Sequence, residues 1–374
     1  MNFLDIADAV YYNVGGKVDL TKEAKEIVAQ LKKRKKTIFI LIDGMGALVL
    51  NNLLPDSFLN SKVKEVATTV FPSTTSVVLT ALATGKYPAT HAVNGWFNYI
   101  EETDESIISL PFINRFDANE KVKIKLTDLF YCETRMQHIP CRASMIANAG
   151  IVKSEYSMWS RGNTNGHGYR TLKGAFQTLS RLINKDDEEE YIYLYIDDFD
   201  TICHKFGPDS EEAKALLSTI DTLVKKYATR YKDKVNTIIT ADHGQVRIRN
   251  ENFFTINSKD KMMELLKAPP SGDSRCTCFH VRDGKKEEFV KMFNERYGKY
   301  AKLLSQEEID KAHILGPESM CERAKRRFGD FCAFFDKEYA FLYVKDDFDR
   351  NKLKKGCHSG NSEEEMKIPL IIIN

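Results

Sequence analysis

Three aspartates and three histidines stand where short apolar runs give way to polar residues: Asp43 in IDGMG, Asp200 and His204 in DDFDTICHKFGP, Asp242 and His243 in TADHGQ, and His358 in GCHSGNSEEEM. An aspartate just after a strand is ordinarily a turn residue, because its carboxylate bonds the local backbone. Three such cases in one chain, two of them with a histidine attached, point to metal ligation instead. Six ligands of mixed oxygen and nitrogen type would fill two divalent sites with three protein ligands each, leaving coordination positions open. Two open sites side by side suit phosphoryl chemistry: one cation activates an attacking oxygen, and the other stabilises the leaving one.

A stretch of hydroxyls adds to this set. In FPSTTSVVLTALATG, residues 71–85, Ser73, Thr74, Thr75 and Ser76 precede an apolar run of helical length. A helix needs one Ser or Thr as its cap, so capping leaves the others unexplained. A free Thr hydroxyl is a weak nucleophile that becomes usable beside a divalent cation.

These residues need a scaffold that brings strand ends together. Apolar runs at 37–42, 191–196, 235–240 and 369–373 read as buried strands, and the patterns at 21–31, 76–83, 172–183 and 210–227 read as helices. Their alternation predicts an α/β fold with a mainly parallel central sheet and helices on both faces. Such folds gather ligands at the carboxyl ends of strands, where the Asp and His residues lie. Residues 250–355 lack that punctuation and predict a smaller α+β insertion, with strands at 276–281 and 339–345 and helices at 285–297 and 306–311. The catalytic core is then 1–249 plus 356–374, and the insertion is expected to cover the leaving-group side. On this reading, substitution at Arg275 should alter discrimination among esters more than metal binding.

Composition narrows the function classes. The 374 residues are 43% hydrophobic, enough for a sizeable core, and 55 basic against 53 acidic residues leave a formal charge of +2. No electrostatic footprint for a nucleic acid polymer follows from that balance. Lys32 to Lys36 read as a solvated helix end, and the acidic run 186–190 as a solvated loop. Eight cysteines without metal spacing read as reduced thiols. Residues 1–18 lack a charged region followed by an apolar one, and no apolar stretch approaches membrane length, so a cytoplasmic protein without membrane contact is expected. DGMG, with Asp where a dinucleotide-binding loop has its first Gly, excludes a Rossmann site.

On these motifs the chain resembles the alkaline phosphatase superfamily, and within it the type I phosphodiesterase/nucleotide pyrophosphatase family in its compact bacterial form. The resemblance runs from LIDGMG to GCHSGNSEEEMKIPL and is most specific in DTICHKFGP followed by TADHG; PSGDSR and GHGYRTL support it. It implies one metal site of Asp200, His204 and His358 and another of Asp43, Asp242 and His243, with zinc the first expectation and manganese the second. It also implies a nucleophile ten residues before the Gly of a Thr-Gly pair, which from Thr84-Gly85 gives Thr75, leaving Ser73, Thr74 and Ser76 to cap the helix or line the phosphate site.

The family's phosphate-binding Asn follows a His-Gly pair. In THAVNGWFN, Ala92 replaces that Gly, Asn94 stands two positions early and Trp96 occupies the aligned position; Asn94 is the candidate phosphate donor. The expected activity is hydrolysis of a small phosphodiester or nucleotide through a threonine-linked intermediate. A phosphomonoesterase, a phosphomutase or a non-catalytic metal-binding relative are the alternatives. His91, His138, His167, His280 and His313 read as surface or satisfied core residues, with His167 in a Gly-flanked loop able to reach a substrate.

Overall fold

The computed structural model describes residues 1–162 and 164–374. Its centre is a seven-stranded sheet: β1 (Lys36–Ile42), β2 (Val63–Thr68), β3 (Arg142–Asn148), β4 (Asn165–Tyr169), β5 (Glu190–Ile196), β6 (Asn236–Thr240) and β7 (Lys367–Ile373). The spatial order is β2-β7-β6-β1-β5-β3-β4. Pairs from β6 to β4 are parallel, whereas β7 runs antiparallel to both β6 and β2. All seven residues of β1 are buried. A strand so apolar throughout needs cover on both faces, which helices supply. Helix Leu172–Ile183 packs on β3 and β5, while helix Phe3–Asn13 packs on β1 and on helix Thr75–Thr84.

The register explains why the acidic residues collect. β6, β1 and β5 are neighbours and parallel, with Leu41 opposite Thr240 and Ile42 opposite Ile196. Their carboxyl ends therefore finish at one edge, and Asp43 directly after β1, Asp242 shortly after β6 and Asp200 on the helix that follows β5 emerge there.

A second seven-stranded sheet is antiparallel throughout. It runs from Ala301–Ser305 through Phe331–Phe335, Cys276–Phe279 and Ser271–Gly272 to Phe97–Ile100, Glu105–Ile108 and Ile113–Asn114. Segment 250–355 thus shares its sheet with residues 97–114, far earlier in the chain. An aromatic cluster that includes Phe279, Phe289, Phe293, Phe335 and Phe341 forms the core on one side of it.

Two surface readings change. The helix before β1 ends at Gln30, so Lys32 to Lys35 lie beyond it and Lys36 opens the strand. Lys36 is buried, donates to the Leu182 carbonyl at 3.0 Å and lies 3.5 Å from the buried Glu190, which also pairs with Arg142. Charges from both runs therefore neutralise one another at the amino ends of β1 and β5, because a buried charge is tolerated only when paired. Among the described residues no helix is long and apolar enough to cross a membrane.

Candidate active site

Asp43 and Asp242 are held by one carboxylate oxygen each. Asp242 Oδ1 accepts the backbone N–H groups of Gly44 at 3.1 Å and His243 at 3.0 Å, while Asp43 Oδ2 accepts the Tyr195 hydroxyl. The other oxygens, Asp43 Oδ1 and Asp242 Oδ2, are buried without a partner. His243 Nε2 stands 3.4 Å from both of them. Gly44 makes this close packing feasible: its φ is +73°, and a Cβ there would meet Gln245 Nε2 at 2.8 Å.

The second cluster comes from a helix and the C-terminal loop. Asp200 and His204 are four apart on helix Asp198–Phe206 and so share a face, with His204 Nε2 3.2 Å from Asp200 Oδ2. His358, from the segment after Gly356–Cys357, brings its Nε2 to 3.3 Å from His204 Nε2. Gln245 donates to Asp200 Oδ1 at 2.6 Å. The clusters adjoin, because the rings of His243 and His358 stack with centroids 3.8 Å apart. Within each, the three ligand atoms lie within 4.8 Å of one another.

The donor chemistry fits divalent cations. Each histidine directs Nδ1 at a backbone carbonyl, that of Gly356 at 2.7 Å for His204, Gly244 at 2.9 Å for His243 and Ser73 at 3.2 Å for His358. A carbonyl can only accept, so Nδ1 carries a proton, which leaves Nε2 as the atom able to offer a lone pair to a cation. Burial, reinforced by the charges of Asp242 and Asp200, pushes the Asp43 carboxyl well above the usual range, and burial raises Asp242 as well. Burial also drives His358 well below the usual imidazole range, which keeps it neutral. Here a cation already stands at one lone pair: the Lys354 ammonium is 2.9 Å from His204 Nε2. Unpaired buried carboxylate oxygens beside imidazole nitrogens are the environment a divalent ion satisfies.

Helix Thr75–Thr84 is buried along its whole length, and each hydroxyl at its mouth has a different environment. Ser73 Oγ donates to the Gly360 carbonyl at 2.6 Å, and Thr74 Oγ1 donates to Asp273 Oδ2 at 2.8 Å. Thr75 Oγ1 lies 3.1 Å from His243 Nε2, and Ser76 Oγ is buried without a partner. Thr74 occupies the cap position yet makes no side-chain capping bond. The capping role anticipated for Ser73 and Thr74 therefore gives way to tethering, one to the His358 loop and one to the second sheet. First-turn N–H groups without a side-chain cap suit an anion.

Asn94 is placed elsewhere. It is fully buried, and its amide donates to the Arg327 carbonyl at 2.6 Å. Trp96 instead borders the cavity that Thr75, Asp43 and Asp200 open into. His167 lies on β4 and is not among the residues of that cavity wall.

Arg275 also departs from expectation. Its side chain is fully buried, with Nε 2.6 Å and Nη2 2.9 Å from the Glu365 carboxylate. Glu365 also accepts the Gly360 N–H at 2.8 Å, and the Arg275 N–H reaches Ser359 Oγ at 3.1 Å. Ser359 directly follows His358 and sits at φ 98°, a region non-glycine residues rarely occupy. Arg275 thus braces the His358 loop, with its guanidinium bonded to Glu365 and to the Asp336 and Tyr339 carbonyls. Arg275→Met should cost roughly 3–5 kcal/mol by leaving Glu365 buried and unpaired. Denaturant unfolding combined with metal titration checks this: weaker binding at the Asp200, His204 and His358 cluster is expected, and unchanged stability would refute the brace.

An α/β sheet of this order, with two three-ligand clusters at its carboxyl edge and a hydroxyl at a buried helix mouth, defines an alkaline phosphatase-like protein. The chain belongs to the type I phosphodiesterase/nucleotide pyrophosphatase family, whose model matches residues 37–361. It is similar to ectonucleotide pyrophosphatase/phosphodiesterase family member 7 of Mus musculus, with 26% identity over 58% of this chain and 52% of that protein. The chain thus spans about half the length of the curated relatives it matches. Among solved structures, murine ectonucleotide pyrophosphatase/phosphodiesterase 5 shares the fold with a TM-score of 0.67 at 17% identity, covering 90% of this chain and 87% of that one. Phosphonoacetate hydrolase from Sinorhizobium meliloti, described in complex with phosphonoacetate, has a TM-score of 0.61 at 15% identity, covering 90% and 89%.

The sequence pattern passed over several residues that complete the site: Tyr195, Gln245, Lys354 and the cavity wall. One signal was present for the wall. YIYLYI alternates tyrosine with period two, so Tyr191, Tyr193 and Tyr195 share one face of β5.

Proposed function

We propose that the chain is a two-metal-dependent hydrolase of phosphate esters, of phosphodiesterase/nucleotide pyrophosphatase type, that acts through a covalent intermediate on Thr75. The observation that carries this is the Thr75 hydroxyl, 3.1 Å from His243 Nε2 where the two ligand clusters adjoin. Asp200, His204 and His358 would hold one cation, and Asp43, Asp242 and His243 the other. When bound, the pair would supply Lewis-acid charge to the attacking, leaving and non-bridging oxygens.

The chain itself does the positioning. On this reading the uncapped N–H groups of the Thr75 helix would receive the phosphoryl oxygens, and the buried helix fixes the position of Oγ1. The Oγ1–P bond forms as the bond from phosphorus to the departing alcohol oxygen breaks, and the Thr75 proton leaves with the alcohol. Water then cleaves the threonine ester and restores the hydroxyl. A murine relative of the same fold is described as inactive with a threonine replaced by alanine, in complex with AMP, which supports both the nucleophile and a nucleotide-sized substrate. Zinc suits the Asp/His donor set, with manganese as the second choice. Eight free thiols accord with a reducing, cytoplasmic setting.

Metal analysis with parallel assays on bis(p-nitrophenyl) phosphate and p-nitrophenyl phosphate tests the reading. Two equivalents per chain and faster turnover of the diester are expected. His358→Ala should lose about one equivalent, since Asp43, Asp242 and His243 remain intact. Full metal content in that variant would detach the C-terminal loop from the site.

A further inference from the structure

Each of the three ligand carboxylates is held by one oxygen, and the donor differs each time. Asp242 is held by two backbone N–H groups and Asp43 by the Tyr195 hydroxyl, whereas Asp200 Oδ1 accepts from the side-chain amide of Gln245 at 2.6 Å. Gln245 follows His243 by two positions, so its main chain belongs beside the other cluster. One residue therefore stands next to one set of ligands and reaches into the second.

The seat of this side chain fits an amide closely. Gln245 is 2% exposed and lies between two glycines from different loops. A Cβ on Gly44, the neighbour of Asp43, would meet Nε2 at 2.8 Å; a Cβ on Gly356, whose carbonyl accepts the His204 Nδ1–H, would meet Oε1 at 2.5 Å. The backbone of Gly356 is outside the left-handed region, so space and not conformation calls for glycine there. An ionised carboxylate only accepts, which keeps Nε2 on Asp200 and turns Oε1 away, where it is buried without a partner among the described residues. An orphaned acceptor is a cost that an apolar side chain of equal length would avoid, so filling space does not account for a glutamine here. Substrate contact does not account for it either. Gln245 is not among the residues of the cavity wall that Thr75, Asp43 and Asp200 share, and it borders a separate surface groove with Pro208, Arg247 and Glu364.

What the amide does set is the direction of the carboxylate. With Oδ1 held, Oδ2 is the oxygen turned to His204, 3.2 Å from its Nε2. The last torsion of an aspartate is broad, so a released carboxylate would rotate, and a ligand that must be ordered as a cation arrives binds it less tightly.

We propose that Gln245 is a positioning residue: anchored beside His243, it fixes the Asp200 carboxylate of the neighbouring cluster for cation binding. This rests on the two-metal reading of the clusters and adds to it the residue that orients one of their ligands.

The test uses the full-length protein, zinc titrated in competition with a chromophoric chelator, and cobalt as a spectroscopic probe. Gln245→Met keeps the length and removes the donor. It should weaken one zinc equivalent roughly 10–100-fold, leave the other at wild-type affinity, and change the visible cobalt spectrum of the weakened site alone. Added to His358→Ala, which removes that same equivalent, it should cause no further loss. Gln245→Glu keeps the shape but sets a charged acceptor against Asp200, so it should weaken the same equivalent even if Gln245→Met does not fold. Wild-type affinity at both sites, or equal weakening of both, overturns the proposal. Stoichiometry separates the two readings: fewer than two equivalents in the wild-type protein refutes the two-metal reading and the proposal with it, whereas two equivalents without a site-selective change in the variants refutes the role of Gln245 alone.

Discussion

Thr75→Ala should fold, retain both metal equivalents and lose turnover by roughly three to six orders of magnitude, the scale on which removal of a nucleophile acts in covalent catalysis. The metals should stay because the six candidate Asp and His ligands would hold them without the hydroxyl. Thr75→Ser should recover part of the rate, since it restores an oxygen at the same helix position and lacks only the methyl group that restricts its rotation. The neighbouring hydroxyl provides the contrast. Thr74 Oγ1 donates to Asp273 Oδ2 at 2.8 Å, so Thr74→Ala should cost roughly 1.5–3 kcal/mol of stability, as loss of a hydrogen bond to a charged group does, with the chemistry largely intact. Rapid quenching of wild-type enzyme with substrate, followed by peptide mass analysis, locates the adduct. Finding it on Ser73 or Thr74, or full turnover in Thr75→Ala, refutes the assignment.

The second large effect is expected on metal removal. Dialysis against a chelator should bring phosphodiester turnover to background and also lower the melting temperature by several degrees. Asp43 Oδ1 and Asp242 Oδ2 are buried, unpartnered and close to Asp200, so the metal-free site stores repulsion that a cation converts into attraction. A ligand present at about a thousand times its Kd stabilises the folded state by about 4 kcal/mol per site. Replacing zinc or manganese should restore both properties together, whereas magnesium, which prefers oxygen ligands, should restore them less well. Scanning fluorimetry and turnover on the same samples make the comparison. Unchanged melting on chelation would mean that the two clusters are ordinary buried polar groups.

Much of this site was legible because it is local in the chain. Asp43, Asp200, Asp242 and His243 each lie within a few residues of an apolar strand, and the mainly parallel direction of the strands, though not their order, follows from the alternation of strands and helices. His204 shares a helical face with Asp200, which spacing alone reveals. The candidate nucleophile, Thr75, could be counted from Thr84-Gly85 on the family resemblance because one helix carries both.

What the sequence by itself determined is the inventory: an α/β chain with six candidate ligands, most of them near strand ends, and a hydroxyl at a helix mouth. Only the tertiary structure decided how residues distant in sequence are used. Asn94 went to the Arg327 carbonyl, 233 positions away, because residues 97–114 join the second sheet and carry it there. Arg275 became the brace of the His358 loop because Glu365, 90 positions on, reaches it from the short helix before β7. The cavity behind Thr75 likewise exists only where three tyrosines of β5 meet the underside of the Thr75 helix. Local pattern reports burial and periodicity, but a buried charge or donor takes its role from whichever group meets it across the core, and long-range packing sets that meeting.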